Sequence, residues 1–128
     1  MIEKELVGYL LADAGLALMI GDRLHDMVLP QSPTLPAVVW QRISTTRVHS
    51  QSGASRLARP RFQFTCWATT TLAAIQVAGA LREALDGYGG RMGMVENVAI
   101  FGEGENAGLD PETGLRNVAL DFFIWHSE

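Results

Sequence analysis

A basic segment, residues 47–61, holds the densest group of side chains that could bind a ligand. It contains Arg47, Arg56, Arg59 and Arg61, four of the chain's ten basic residues, and it contains no acid. Guanidinium groups donate paired hydrogen bonds to phosphate and carboxylate oxygens. The segment therefore predicts a surface that binds either a nucleic-acid backbone or the acidic side chains of a protein.

The charge of the chain is divided between two parts of the sequence. Residues 27–82 carry six arginines and no acid, whereas the remaining residues carry four basic residues and all fourteen acids. The net charge of −4 thus combines a part of charge +6 with a part of charge −10. This asymmetry favours contact with a polar partner or with further copies of the chain, although chance clustering of surface charges would give the same pattern.

The acids that could meet these arginines are concentrated in residues 103–114, which we predict to be a loop. The candidates are Glu103, Glu105, Asp110 and Glu112. Residues 102–107, GEGENA, have the form Gly-x-Gly-x-x-Ala, but they lead to a strand and not to a helix that could hold a phosphate. We interpret them as a solvated acidic loop.

Aromatic side chains accompany the arginines on the predicted strands. Trp40, Arg42 and Ser44 alternate onto one face of a strand, and Trp67 and Arg61 share a face of the next. A face of this kind could stack single-stranded nucleic acid, and a small nucleic-acid-binding module is therefore the alternative function. The same aromatic residues could instead pack in a core or at an interface.

The sequence gives no positive argument for an enzyme. His25, His49 and His126 lie far apart and have no partner at metal-ligand spacing, and we expect neither a metal nor a cofactor. The single cysteine, Cys66, lies in a strand-like run and is expected to be a buried, inert thiol. Asp121 stands alone in an apolar strand, where it could meet a partner group or face solvent. No apolar run is long enough to span a membrane.

Hydrophobic periodicity and turn residues predict the elements that position these side chains. Helices are predicted over 3–19 and 69–87, and strands over 23–30, 37–47, 61–67, 92–102 and 115–126. The order α-β-β-β-α-β-β indicates a single α+β domain over residues 1–128. We expect an antiparallel sheet of about four to five strands with both helices packed on one face.

Two details of this prediction concern the second helix and the basic segment. The helix is predicted to begin at a threonine cap and to bury an apolar stripe, which consists of Leu72, Ile75, Ala78, Leu81 and Leu85. The serine- and glycine-rich residues 47–58 are predicted to form a long loop that is mobile in the free protein and becomes ordered on assembly.

Four stretches of the sequence resemble one protein family. They are LVGYLLADAGLALMIGDRL (6–24), LPAVVWQRIS (35–44), LARPRFQFTCWA (57–68) and DPETGLRNVALDFFIWH (110–126). In this order they are similar to the tail completion, or tail terminator, proteins of long-tailed bacteriophages, which also occur in prophages and gene transfer agents. The similarity covers nearly the whole chain, and its specificity lies in the sum of the stretches.

The resemblance implies a structural protein without catalytic activity. Proteins of this family are made in the host cytoplasm and form a ring, usually of six copies, at the head-proximal end of the tail in the virion. The ring stops polymerisation of the tail tube protein and offers a docking face to the head connector, and genomic DNA passes through its lumen. No membrane is involved.

The resemblance turns the charge pattern into a hypothesis about assembly. We expect the arginines, including Arg42, to lie at an assembly interface or near the lumen. Arg59 and Arg61 are expected to bind the acidic segment of an adjacent copy. For Arg47 and Arg56 the sequence leaves open whether they face a neighbouring copy, the tail tube or the DNA.

Overall fold

The computed structural model describes residues 1–50 and 53–128 and contains helices and strands in the order α-α-β-β-β-α-β-β-β. The helices are α1 (Ile2–Leu11), α2 (Ala14–Ile20) and α3 (Thr71–Leu85). The strands are β1 (Leu24–Asp26), β2 (Ala37–Ser50), β3 (Gly53–Ala68), β4 (Gly89–Met92), β5 (Val95–Leu109) and β6 (Arg116–Ser127).

The strands form one sheet in the order β1-β2-β3-β6-β5-β4. β1 pairs with β2 in parallel, and the other neighbours pair antiparallel. The predicted α+β class is confirmed, but the described residues form six strands and three helices instead of four to five strands and two helices. The extra strand, β4, lies between the predicted helix 69–87 and the residues of the predicted strand 92–102 that form β5.

The predicted first helix, 3–19, is interrupted at Asp13. The Asp13 side chain accepts a hydrogen bond from the Leu16 backbone N–H at 2.9 Å and caps α2, while its own backbone is extended. An aspartate that satisfies an N-terminal donor of a new helix competes with continuation of the previous one. The apolar spacing persists across the break, and therefore periodicity alone did not reveal it.

Two predicted loops are strands. Arg47 pairs with Ala58, and the pairing continues to Ser50 and Gly53, so the described part of the predicted loop 47–58 extends the β2–β3 hairpin. The pairing of these residues in a hairpin does not support the prediction that they form a mobile loop in the free protein. Residues 51–52 lie outside the described part of the chain.

Most of the predicted acidic loop 103–114 is also a strand. β5 continues to Leu109, which pairs with Arg116 of β6, and only the end of the predicted loop 103–114 forms a turn. The glycines and glutamates of this segment do not alternate with apolar residues, so the sequence does not indicate a strand. The strand forms through hydrogen bonds to β6.

The helices cover one face of the sheet, and the core lies between them. The predicted alternation of Phe62, Phe64 and Cys66 is confirmed, since all three are buried and pack with Phe122 and Ile124 of β6. The Cβ positions between them point to the opposite face, which we call the open face.

The orientation of α3 differs from the prediction, although the threonine cap, Thr70, is confirmed. Leu72 and Ile75 of the predicted stripe are exposed, at 73% and 50%. The buried residues of α3 are Ala74, Val77, Ala78, Leu81 and Leu85. The buried face of α3 differs from the predicted stripe because small residues, mostly alanines, pack against the sheet. Alanines indicate a buried position less strongly than Leu72 and Ile75 do.

A matched pair of leucine substitutions in α3 tests this orientation. We expect Leu81→Ala to lower the free energy of unfolding by about 2–5 kcal/mol, because it leaves a cavity at a fully buried site. Leu72→Ala, which removes the same atoms from an exposed site, should change it by less than about 0.5 kcal/mol. Urea unfolding measures both, and similar losses in the two variants would contradict the orientation of α3.

Candidate assembly surfaces

The open face carries aromatic and charged residues of β3 and β6 that lie outside the core. Arg61 pairs across the strands with Phe123, and Gln63 pairs with Asp121, so their side chains lie side by side on this face. The open-face residues that the following paragraphs use are Ser44, Arg59, Arg61, Trp67, Asn106, Asp121, Phe123 and Trp125. Helices occupy the other face, and most of these side chains remain partly exposed.

Arg61 and Asp121 form an ion pair at the centre of the open face. Arg61 Nη2 donates to Asp121 Oδ2 at 2.8 Å, and Asp121 is only 8% exposed. This pair answers the question that the sequence left open for Asp121, whose carboxylate meets an arginine of its own chain. Two buried atoms of the pair, Arg61 Nε and Asp121 Oδ1, have no hydrogen-bond partner among the described residues.

The guanidinium group of Arg59 lies over two aromatic rings of β6. Its guanidinium carbon is 4.5 Å from the centre of the Phe123 ring and 5.4 Å from that of Trp125. Cations are attracted to the faces of aromatic rings, and the side chain stays partly exposed here, although its Nε atom is buried and has no hydrogen-bond partner among the described residues. The sequence analysis missed this platform, although residues 121, 123 and 125 alternate onto one face of a strand.

The predicted face of tryptophans and arginines is not formed. Trp40 packs against the core on the helix side, and Arg42 lies over the Phe62 ring and forms an ion pair with Glu3 at 3.1 Å. Ser44 pairs with Arg61, because an irregularity between Arg42 and Ser44 exchanges the faces of β2. Trp40 and Arg42 therefore lie on the face opposite to Trp67 and Arg61, which removes the observation on which the nucleic-acid alternative rested.

Arg47 and Arg56 lie on the stem of the β2–β3 hairpin beside the end of β6. Arg47 donates to both carboxylate oxygens of Glu128, at 2.8 and 3.0 Å. This hydrogen-bonded pair lowers the pKa of Glu128 and raises the pKa of Arg47. Arg56 is exposed, has a positive φ of 59°, and accepts the Glu128 backbone N–H on its carbonyl oxygen at 2.7 Å.

The acidic candidates lie on the other side of the sheet. Glu105 forms an exposed ion pair with Arg82 of α3 at 2.7 Å, and Asp110 accepts the Glu112 backbone N–H in the turn after β5. Glu103 is exposed and has no ion pair among the described residues. β5 is separated from β2 by two strands, so the fold of one chain does not bring the basic and acidic candidates together.

The remaining candidates for chemistry are structural. Burial raises the pKa of the Cys66 thiol to about 12, which keeps it protonated and unreactive. His126 is buried in β6, where it pairs with Ala58 of β3. The part of the chain that the structure describes contains no cluster of three possible metal ligands and no helix that could cross a membrane.

A sheet that is covered on one side, with cations and aromatic rings on the other, is typical of a subunit that binds other macromolecules. The chain belongs to the tail completion protein gp17 family, whose model matches residues 4–127. Membership of this family makes it a structural component of a phage tail, located in the virion, and confirms the resemblance stated from the sequence.

Among solved structures, the chain is similar to a chain in a structure described as the virion of a native gene transfer agent particle. The two share 22% sequence identity with a TM-score of 0.79, over 94% of this chain and 90% of the other. At this identity the similarity establishes a shared fold. No curated protein matches the sequence.

The Arg61–Asp121 pair gives a first prediction for the open face. Arg61→Ala leaves a buried carboxylate without its cation, and we expect the free energy of unfolding to fall by about 1–3 kcal/mol. In an Asp121→Asn background the same substitution should cost much less, because an uncharged amide then replaces the carboxylate. Arg56→Ala is the control at an exposed site, and equal costs of Arg61→Ala in both backgrounds would rule out the coupling.

The Arg47–Glu128 pair gives a second prediction, for pH dependence. The pKa of Glu128 is lowered in the folded protein, so the pair adds stability at high pH, and this stability is lost as the pH falls through the folded-state pKa. Arg47→Ala should raise the pKa of Glu128 toward that of an ordinary glutamate. Carbon-13 NMR of the Glu128 carboxyl measures it, with Lys4→Ala as control; an unchanged Glu128 titration in Arg47→Ala would disprove the pair.

Proposed function

We propose that this protein caps the head-proximal end of the phage tail tube. Copies of the chain form a ring, with six as the expected number, which stops polymerisation of the tube and joins the tail to the head connector. The observation that carries this proposal is the family match, which extends over residues 4–127 and includes residues from every helix and strand of the fold.

The distribution of charge supports assembly into a ring. In a ring each copy contacts its two neighbours through different patches, so a patch must complement a patch elsewhere on the same molecule. The arginines of β2 and β3 lie on one side of the sheet and the acids of β5 lie on the other. Opposite charges at the two sides favour a head-to-tail arrangement and disfavour a symmetric contact between like sides.

The roles of individual arginines follow from their surroundings. Arg61 and Arg42 bind carboxylates of their own chain, so their main role is to stabilise the fold of the subunit. Arg59 is partly exposed on the open face, and Arg56 is exposed on the hairpin stem. We assign Arg56 and Arg59 as the stronger candidates for contact with the tail tube, with the connector or with DNA.

Passage of DNA requires weak contacts. A nucleic acid that slides through a lumen must not be held by many phosphate contacts, each of which would add salt-sensitive affinity. The net charge of −4 fits that requirement. We therefore propose that DNA passes without sequence-specific binding, that the protein needs no cofactor, and that residues 1–128 act as one non-enzymatic unit.

Deletion of the gene in its source tests the proposed function. We expect negative-stain electron microscopy of the lysate to show separate filled heads and tails without heads, some of them longer than normal, because nothing ends the tube. Supplying the intact gene in trans should restore joined particles of normal tail length, which controls for effects on neighbouring genes. Normal joined particles from the deletion strain would reject the proposal.

A further inference from the structure

Among the described residues, the long strands β2 and β5 each have a stretch of edge that no strand covers. β1 pairs with β2 only over Val38–Trp40, and on that side no described strand pairs with residues 41–47, which we call the β2 edge. β4 and the residues before it cover β5 as far as Gly102. On that side no described strand pairs with residues 103–109, which we call the β5 edge. Edge strands present unpaired backbone N–H and C=O groups that can pair with another chain.

The two edges lie at opposite sides of the sheet and run in opposite directions. The alternating pairings β2–β3, β3–β6 and β6–β5 are all antiparallel, so β5 runs antiparallel to β2. A second copy placed beside the first in the same orientation would thus bring its β5 edge antiparallel to the β2 edge. Its helices would remain on the same side as those of the first copy.

We propose that neighbouring copies join by antiparallel pairing of the β2 edge of one copy with the β5 edge of the next. This inference rests on the proposed ring and specifies its contact. The occupant of each edge is a second copy of this chain because the edges complement each other in charge. The β2 edge contains Arg42 and Arg47 and no acid, and the β5 edge contains Glu103 and Glu105 and no base.

The orientation of side chains selects a register for this pairing. Directly opposite residues of paired strands must share a face. Ser44 lies on the open face, where it pairs with Arg61, and Asn106 lies on the same face, where it pairs with Ala119. Placing Ser44 opposite Asn106 also sets Thr45 opposite Glu105, which brings Arg47 of one copy beside Glu105 and Glu103 of the next.

This register also gives the copies a geometry that suits a closed sheet. Within one subunit Ser44 is level with Phe101 through Arg61 and Phe123, and Asn106 is level with Ala119, which lies four residues from Phe123 along β6. The contact at Asn106 therefore displaces the next copy by about 14 Å along the strands. Four strands separate successive contacts and take up about 19 Å. If the copies are level in a ring, the strands tilt from its axis by about 35°, and closed sheets have tilts of about 35–45°.

The existing ion pairs of these edges do not oppose the contact. Arg47 with Glu128 and Arg82 with Glu105 are exposed pairs, and exposed pairs contribute little stability because water competes for both groups. Their charges can therefore add a partner from the next copy. Arg42 of the β2 edge is paired with Glu3 of its own chain. The charged side chains that belong to the edges themselves are both basic in residues 41–47 and both acidic in residues 103–109, so an edge does not favour pairing with the same edge of another copy.

Cysteine cross-linking in assembled particles tests the contact. The source would produce, as its only copy of this protein, the variant with Ser44→Cys and Asn106→Cys, two exposed positions. Purified particles would be treated with a short bis-maleimide and separated on a denaturing gel. Because the Cys66 thiol is buried, it does not react in the folded protein. We expect most of the monomer band to move to a ladder of multimers that ends at the copy number of the ring.

The controls separate this contact from random proximity and from failure of the ring itself. The Ser44→Cys single variant, and Ser44→Cys combined with Glu83→Cys on α3, should leave the monomer band in place. Thr46→Cys with Asn106→Cys is a second pair, diagonal on the open face, for use if the first variant yields no particles. Monomer alone in joined particles that contain the chain overturns the edge pairing and leaves the proposed function intact, whereas joined particles that lack the chain overturn both.

Discussion

The antiparallel pairing of β3 with β6 is the constraint on which the rest of the molecule depends. It places Phe62 opposite Phe122 and Phe64 opposite Leu120, and the rings of Phe64 and Phe122 meet edge to face at 5.8 Å. These residues form the layer on which all three helices pack. Because side chains alternate along a strand, a slip of one residue would turn this layer outward, and the cost of exposing it fixes the register.

The same register determines the open face. Once Phe122 points to the helices, Asp121 and Phe123 must point away from them, beside Arg61 of β3. The buried Asp121 carboxylate is tolerated there because Arg61 neutralises it, and Phe123 supports Arg59 by stacking. The surface that is available to partners is therefore a consequence of how the core is packed, and it was not built as a separate site.

The sequence revealed the parts of this arrangement that repeat a local pattern. Alternation identified β3 and β6, and the helix ends predicted at residues 19 and 87 lie within two residues of the observed ends, Ile20 and Leu85. The sequence did not reveal the outer half of β5, because its hydrogen bonds come from a strand that follows it and its own residues show no alternation. A break of two residues between α1 and α2, at Ala12 and Asp13, is likewise decided by a single side-chain hydrogen bond.

The candidate site was less accessible to sequence reasoning than the fold. Arg42, Arg47, Arg59 and Arg61 all hold specific contacts within the chain, and their place at an assembly interface or lumen stays a prediction. Their partners could not be read from the sequence, because Arg61 and Asp121 are 60 residues apart and any acid could have been the partner. The irregularity after Arg42 also exchanged the faces of β2, and a shift of this kind leaves no mark in the order of polar and apolar residues.

The short edge strands give the molecule a direction. β1 has three residues and β4 has four, so each covers only part of the long strand beside it and leaves a stretch of it uncovered. Two β2 edges repel each other, Arg47 against Arg47, and two β5 edges repel each other, Glu103 against Glu103. A β2 edge and a β5 edge attract each other. Two like edges would produce closed pairs, whereas two unlike edges on opposite sides of one subunit can only add copies in a row. Whether that row closes depends on the rotation between copies, which the twist and tilt of the sheet supply.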